Sequence, residues 1–279
     1  MRFWHIASSA IALGVAVIGW CYWTAITDPI VRQADVPLLP PDSGLPPLRL
    51  LLISDIHVAG PDMTPTRLSR IVGQINALHP DAVLIAGDLV SDKRIATRTF
   101  SLRDAIAPLG RLKTRLGAFA VLGNHDHWRD ADEARYELAR AGVHVLDNNA
   151  AQAGPLVIGG IDDAFTGNDD LPATLRSMAA MKGTPILISH SPDPFPDVPP
   201  SIGLMVAGHT HCGQIRLPLV GALSYMSAYG DRYACGHIRE ASKQLIVGAG
   251  LGTSLLPLRL GAVPDMWMIT IRPRDRIEN

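Results

Sequence analysis

Between residues 48 and 211, short apolar runs repeatedly break off at side chains able to bind a metal ion. Leu48 to Ile53 ends at Ser54-Asp55, Ala82 to Ala86 at Gly87-Asp88, and Gly117 to Leu122 at Gly123-Asn124-His125-Asp126. Leu156 to Ile161 ends at Asp162-Asp163, Ile186 to Ser189 at His190, and Gly203 to Ala207 at Gly208-His209-Thr210-His211. Runs this short read as buried strands, and two more follow at 244–248 and 266–271. Helical spacing fills the gaps. Leu68, Ile71, Val72, Ile75 and Leu78 predict a helix over Thr64–Leu78, with others across about 97–109, 132–141 and 170–181. Such alternation implies the α/β class, with parallel strands joined by crossover helices. Ligands bind such sheets at the carboxyl ends of the strands. Asp55, His57, Asp88, Asn124, His190, His209 and His211 are therefore expected to converge on one edge.

Each motif alone says little. Asp55-x-His57 is common by chance, Gly87-Asp88 often marks only a turn, and His190 reads as readily as a hydrogen-bonded structural histidine. The alternating histidines of Gly208-His209-Thr210-His211 are more telling. In order, the set Asp-x-His, Gly-Asp, Gly-Asn-His-Asp, His and Gly-His-x-His resembles the calcineurin-like metallophosphoesterase superfamily, from Ser54 to His211. The resemblance implies a four-layer α/β/β/α sandwich with a dimetal site at the C-terminal strand edge. Its two divalent ions lie about 3.5–4 Å apart, a spacing that clamps a phosphoryl group. Asp55, His57 and His211 would hold the first ion, Asn124, His190 and His209 the second, and Asp88 would bridge them. A metal-bridging hydroxide would attack phosphorus in line. By the same resemblance His125 contacts the phosphoryl group and protonates the leaving oxygen, while Asp126 holds the His125 ring in its working tautomer. Helix N-capping is the alternative role for Asp126.

The residue types suit that chemistry in their own right. A bridging carboxylate offsets the repulsion between two dications, and Asn124 is a neutral oxygen ligand that keeps the site positive for an anionic substrate. Imidazole, carboxylate and carboxamide without thiolate suit Mn²⁺, Zn²⁺ or Fe. His127 extends the motif and reads as a surface histidine; Asp163 reads as a turn residue or as support behind the site. Cys212 stands where similar sequences often carry Gly, and is expected to be inert unless it pairs with Cys235 outside the cytoplasm.

Composition sets further bounds. Hydrophobic residues are 47% and charged residues 18% of 279, which excludes intrinsic disorder. A net charge of −1 gives no basic footprint for nucleic acid, and three cysteines make no disulfide scaffold. Part of the apolar excess lies in one block. Ile6 to Thr27 has no charged residue, spans ~30 Å as a helix, and carries Trp20, Tyr22 and Trp23 near one end. Residues 1–27 thus read as an N-terminal membrane anchor, with a cleaved signal peptide or a core helix as alternatives. Residues 28–47, with six prolines, read as an extended spacer, and residues 48–279 as the catalytic domain.

The later motifs Gly208-His-Thr-His-Cys-Gly-Gln214, Gly250-Leu-Gly-Thr-Ser254 and Pro257-Leu-Arg259, together with the anchor, resemble a membrane-anchored bacterial phosphodiesterase branch. Some of its members hydrolyse the pyrophosphate bond of UDP-2,3-diacylglucosamine in lipid A synthesis. Asp265 stands where relatives often carry Glu. Arg259 reads as a bidentate phosphate clamp or as a surface arginine. The expectation is a monomeric phosphodiester or pyrophosphate hydrolase of the bacterial inner membrane, acting on a small-molecule or lipid-linked phosphoester. Arg2 before the span favours an N-inside, single-pass topology with the domain periplasmic. That placement sits uneasily with a UDP-linked substrate made inside the cell.

Overall fold

A computed structural model describes residues 2–91, 93 and 95–275. The chain opens with helix α1 (Arg2–Ile26) and strand β1 (Ile30–Leu39). A strand–helix series follows: β2 (Leu48–Ile53), α2 (Pro65–Ala77), β3 (Ala82–Ala86), α3 (Leu102–Ile106), β4 (Gly117–Val121) and α4 (Asn124–Arg140). Then come β5 (Val143–Val145), β6 (Asn149–Ala153), β7 (Leu156–Ile161), α5 (Leu171–Ala179), β8 (Thr184–Ser189) and β9 (Leu204–Ala207). The last elements are the short hairpin of β10 (Arg216–Leu217) and β11 (Gly221–Ala222), then β12 (Gly236–Glu240), β13 (Lys243–Val247) and β14 (Asp265–Pro273).

The strands build two six-stranded sheets, ordered β1-β14-β2-β3-β4-β5 and β12-β13-β9-β8-β7-β6. The centres, β2-β3-β4-β5 and β13-β9-β8-β7, are parallel. Strand periodicity sorts the side chains into layers. In β3, Leu84 points into the slab between the sheets with Leu50, Ile158, Ile188 and Val206, whereas Val83 and Ile85 pack outward on α2 through Leu68, Ile71 and Ile75. The other sheet's outer face packs Val157, Leu187 and Met205 against Met178 of α5, and Phe195. Strands buried on both faces explain the unbroken apolar runs, and the result is a four-layer α/β/β/α sandwich.

Several elements depart from expectation. Residues 30–39 are extended as expected, but they are not a spacer. They pair in parallel with β14 from Ile30↔Asp265 to Val36↔Ile271, so the folded domain begins well before Leu48. Pro37 is tolerated because β1 is an edge strand, and the register shifts beside it. The helix expected over 97–109 shrinks to α3 and a 3₁₀ turn, Ala107–Arg111, because Gly60 and residues 97–98 exchange backbone hydrogen bonds and Pro108 lacks a donor. Helix α4 starts at Asn124 rather than Asp132, with a break at Asp130. In α1, Leu13, Val15, Ile18, Trp20 and Trp23 are exposed, which excludes a core helix; the stretch Ser8–Ile26 is long and apolar enough to cross a membrane. Among the described residues its C-terminal end is docked: Cys21, Thr24 and Ala25 are buried, and Arg67 donates to the carbonyls of Ala25 and Thr27.

Candidate metal centre

Three of the strand ends turn sharply where they deliver candidate ligands. Asp55, His57, Asp88, His209 and His211 all hold left-handed backbone, with φ between 48° and 68°. Outside glycine that conformation costs of order 1–3 kcal/mol per residue, and it persists where surrounding structure enforces it. The enforcement is visible. Asp55 N–H donates to Gly87 O, His57 N–H to Asp88 O, and Gly252 N–H to Asp55 O, which laces three loops together. Gly208 and Gly250 leave room for the Asp55 carboxylate that a Cβ would take.

The side chains converge. His57 Nε2 lies 3.0 Å from His211 Nε2, and Asp55 Oδ1 is 3.6 Å from the same His211 nitrogen. On the other side His190 Nε2 lies 3.2 Å from Asn124 Oδ1 and 3.1 Å from His209 Nδ1. Asp88 joins the groups, with Oδ2 at 3.3 Å from both His57 Nε2 and His190 Nε2. Its other oxygen accepts the His125 N–H at the start of α4, which fixes the plane of the carboxylate. His57 Nδ1 faces Val90 O and His190 Nδ1 faces Ala86 O, so those nitrogens carry hydrogens and the Nε2 atoms face inward. Inward imidazole nitrogens, two carboxylates and an amide oxygen form a donor set that fits borderline or hard divalent ions.

The charges without such ions say the same. Burial pushes the Asp55 carboxyl up to about 7. Burial also drives His57 and His211 well below the usual imidazole range, so both are neutral. At His190 burial opposes the cation, yet the adjacent Asp88 outweighs it and holds the imidazolium up to about 10; Asp88, despite burial, is correspondingly held well below the usual carboxylate range. One imidazolium therefore does part of the neutralising that a metal would take over.

Two expected roles are corrected. Arg259 is wholly buried and no substrate clamp. Its guanidinium donates to the carbonyls of Ala249, Gly250, Gly252 and Ala262, and approaches His211 Nδ1 at 3.4 Å. Asp126 works on the backbone rather than on the His125 ring. Its Oδ1 accepts from Leu89 N–H and its Oδ2 from Gly123 N–H, joining the Asp88 loop to the first turn of α4. Asp163 builds a turn by accepting from Thr166. His127 is paired, with Nε2 2.7 Å from Asp162 Oδ1. Cys212 is not inert: it forms a disulfide with Cys235 across a Cα separation of 4.7 Å. His125 lies at the site, its ring edge-on to His57 at 4.8 Å between centroids.

Other contributors were not foreseen. Lys93 is buried, donating to Asp62 and Thr253, and so ties the loop after β3 to the loop carrying Gly252. Trp128 stacks edge-on to His125 and Phe165 tilts over His209, forming an aromatic wall. The Lys93 and Phe165 contacts join residues far apart in sequence, and only the spacing of Trp128 from His125 on one helix carried a signal. Asp88, Asn124, His209 and His211 form the floor of a cavity of about 310 Å³ whose mouth is lined by Trp128, Leu223, Met226, Leu255 and Leu256.

Comparison with known proteins follows the same lines. The family model for calcineurin-like phosphoesterase matches residues 48–213. The chain is 31% identical over 267 residues to a zebrafish transmembrane protein with metallophosphoesterase domain, covering 89% of this chain and 58% of that one. It is 30% identical over 239 residues to the uncharacterized metallophosphoesterase YkuE of Bacillus subtilis, covering 82% and 80%. The chain thus spans little more than half of the zebrafish protein. Among solved structures, a 5′-nucleotidase precursor from Thermus thermophilus aligns with a TM-score of 0.45 at 15% identity, over 80% of this chain and 55% of that one.

Proposed function

The chain belongs to the calcineurin-like phosphoesterase family, and from that premise we propose that it is a phosphoester hydrolase cleaving phosphodiester or pyrophosphate bonds of an amphiphilic, membrane-borne substrate. The observation that carries this is Asp88, whose one oxygen stands 3.3 Å from an imidazole of each ligand group on the floor of an otherwise apolar pocket. Divalent ions bound there supply the positive charge that polarises the phosphoryl group and acidifies an attacking water. The remaining work belongs to the chain. Asp55, His57 and His211 would hold one ion and Asn124, His190 and His209 the other, with Asp88 within reach of both groups. His125 stands beside them at the pocket, placed to meet the phosphoryl group and hand a proton to the departing oxygen. Trp128, Leu223 and Leu256 exclude water and favour an apolar organic group on the ester.

Helix α1 is read as a single membrane span, and the Cys212–Cys235 disulfide supports an oxidising compartment for the domain, such as the periplasm of a bacterial inner-membrane protein. That compartment disfavours the UDP-linked lipid A precursor among the candidates. In detergent, the full chain with Mn²⁺ is expected to release nitrophenol from bis-p-nitrophenyl phosphate, and Asp88→Asn to lower the rate by about 10³-fold or more. Metal-independent release, or equal rates in the two proteins, contradicts the reading, and faster cleavage of the monoester contradicts the diester preference.

A further inference from the structure

Within the segment closed by the Cys212–Cys235 disulfide, the β10–β11 hairpin turns apolar side chains outward. Leu219 is fully exposed at the tip of the β10–β11 hairpin, Val220 is 73% exposed and Leu223 67%. Across the pocket mouth, Leu255 and Leu256 are exposed as well. Contiguous apolar surface of this kind marks a contact with something apolar.

What covers it follows from where it is anchored. Gln214, at the root of the hairpin, donates to the carbonyls of Leu256 and Leu258, and Arg216 N–H donates to Leu260 O. The neighbouring Arg259 N–H donates to Cys21 O at the docked end of α1. Two hydrogen-bonded steps therefore lead from the helix to the hairpin. Trp20 and Trp23, exposed at that end of α1, are the residue type that settles at a membrane–water interface. The plane at which the helix leaves the bilayer thus passes beside the hairpin and the pocket mouth.

We propose that Leu219 and Val220, with Leu223, Leu255 and Leu256, form a second membrane contact that sinks into the lipid interface beside α1. A lone helix would leave the domain free to tilt; two contacts fix it with the metal pocket open toward the lipid headgroups. The occupant is the bilayer rather than a second copy of the chain, because the patch is tied through Arg259 and Leu260 to the end of a helix read as membrane-spanning. The inference rests on reading α1 as a membrane span, and requires no turnover.

Nitroxide labels report depth directly. In a Cys21→Ser background with the disulfide kept oxidised, labels are placed by Leu219→Cys, Val220→Cys, Leu13→Cys and Lys182→Cys. The full chain is reconstituted into vesicles of phosphatidylcholine and phosphatidylglycerol. Lys182 is an exposed residue before β8, at the opposite end of the strands. Labels at 219 and 220 are expected to collide more with oxygen than with a water-soluble nickel chelate, as at 13, and the label at 182 the reverse. Lipid-like collision at 13 with aqueous collision at 219 and 220 overturns the hairpin contact and leaves the anchor standing. Aqueous collision at 13, 219 and 220 overturns both. The tip residues are so exposed that a label there has little packing to disturb.

Discussion

His190 holds the proton that a metal ion must displace. Its folded pKa is raised to about 10, so near pH 7 the metal-free imidazole is charged and its inward Nε2 carries a hydrogen. Coordination requires that hydrogen to leave, so affinity rises with pH and binding releases protons. Below about pH 10, affinity for Mn²⁺ should gain about tenfold per pH unit for each proton displaced. Calorimetry in buffers of different ionisation enthalpy counts those protons, and a pH-independent affinity would sink the assignment. Arg259 makes a contrasting case. Its identity near a Gly-rich turn gave no way to tell an anion clamp from a buried carbonyl clamp, since the same guanidinium fork serves both. The geometry predicts that Arg259→Met loses about 3 kcal/mol of stability, seen in denaturant unfolding, by stranding buried carbonyls. A raised KM at unchanged stability would restore the clamp. The candidate ligands were legible because they cluster where apolar runs close; Phe165 was not, because its partners Trp128 and His209 lie on other segments.

At the level of elements, legibility followed burial. β2, β3, β4, β7, β8 and β9 are covered on both faces and announce themselves as unbroken apolar runs. β1 is half exposed, contains a proline and lies at an edge, so its composition is that of a linker while its hydrogen bonds are those of a sheet. It is also bound by side chains: Arg32 Nε donates to Asp265 Oδ2 at 2.6 Å, and Asp265 Oδ1 accepts from Ala249 N–H beside the ligand loop. A chain begun at Leu48 would expose the β14 edge and the apolar face covered by Val36 and Leu39. A chain begun at Asp28 is expected to stay soluble and monodisperse in size-exclusion chromatography, whereas one begun at Leu48 should aggregate. Equal behaviour of the two would return 28–47 to the status of spacer. Helix α4 shows the converse error. Asn124, His125 and Asp126 read as a loop because their polarity hid the helix, yet the first turn is where backbone N–H groups are free to orient Asp88.

For the molecule as a whole, the two features that dominate the composition meet on one side. The apolar strands bring the ligands to a single edge, and the apolar helix docks beside the loop that lines the same pocket. A net charge of −1 is compatible with a phosphate substrate, because attraction is concentrated in the metal centre instead of spread over the surface. The disulfide then bears on which side of the membrane this edge lies. Cys212 directly follows the candidate ligand His211 and is itself in left-handed backbone at φ 54°, and its bond to Cys235 closes the loop that forms the mouth. A cytoplasmic domain would keep these thiols reduced and that loop unstapled. In cells, rapid acid quenching and thiol alkylation should leave Cys212 and Cys235 unmodified until a reductant is added, and an alkaline phosphatase fused after residue 279 should be active. Reactive thiols with an inactive fusion would place the domain inside, where the nucleotide-linked substrate regains its standing and the loop must hold its shape without the bond.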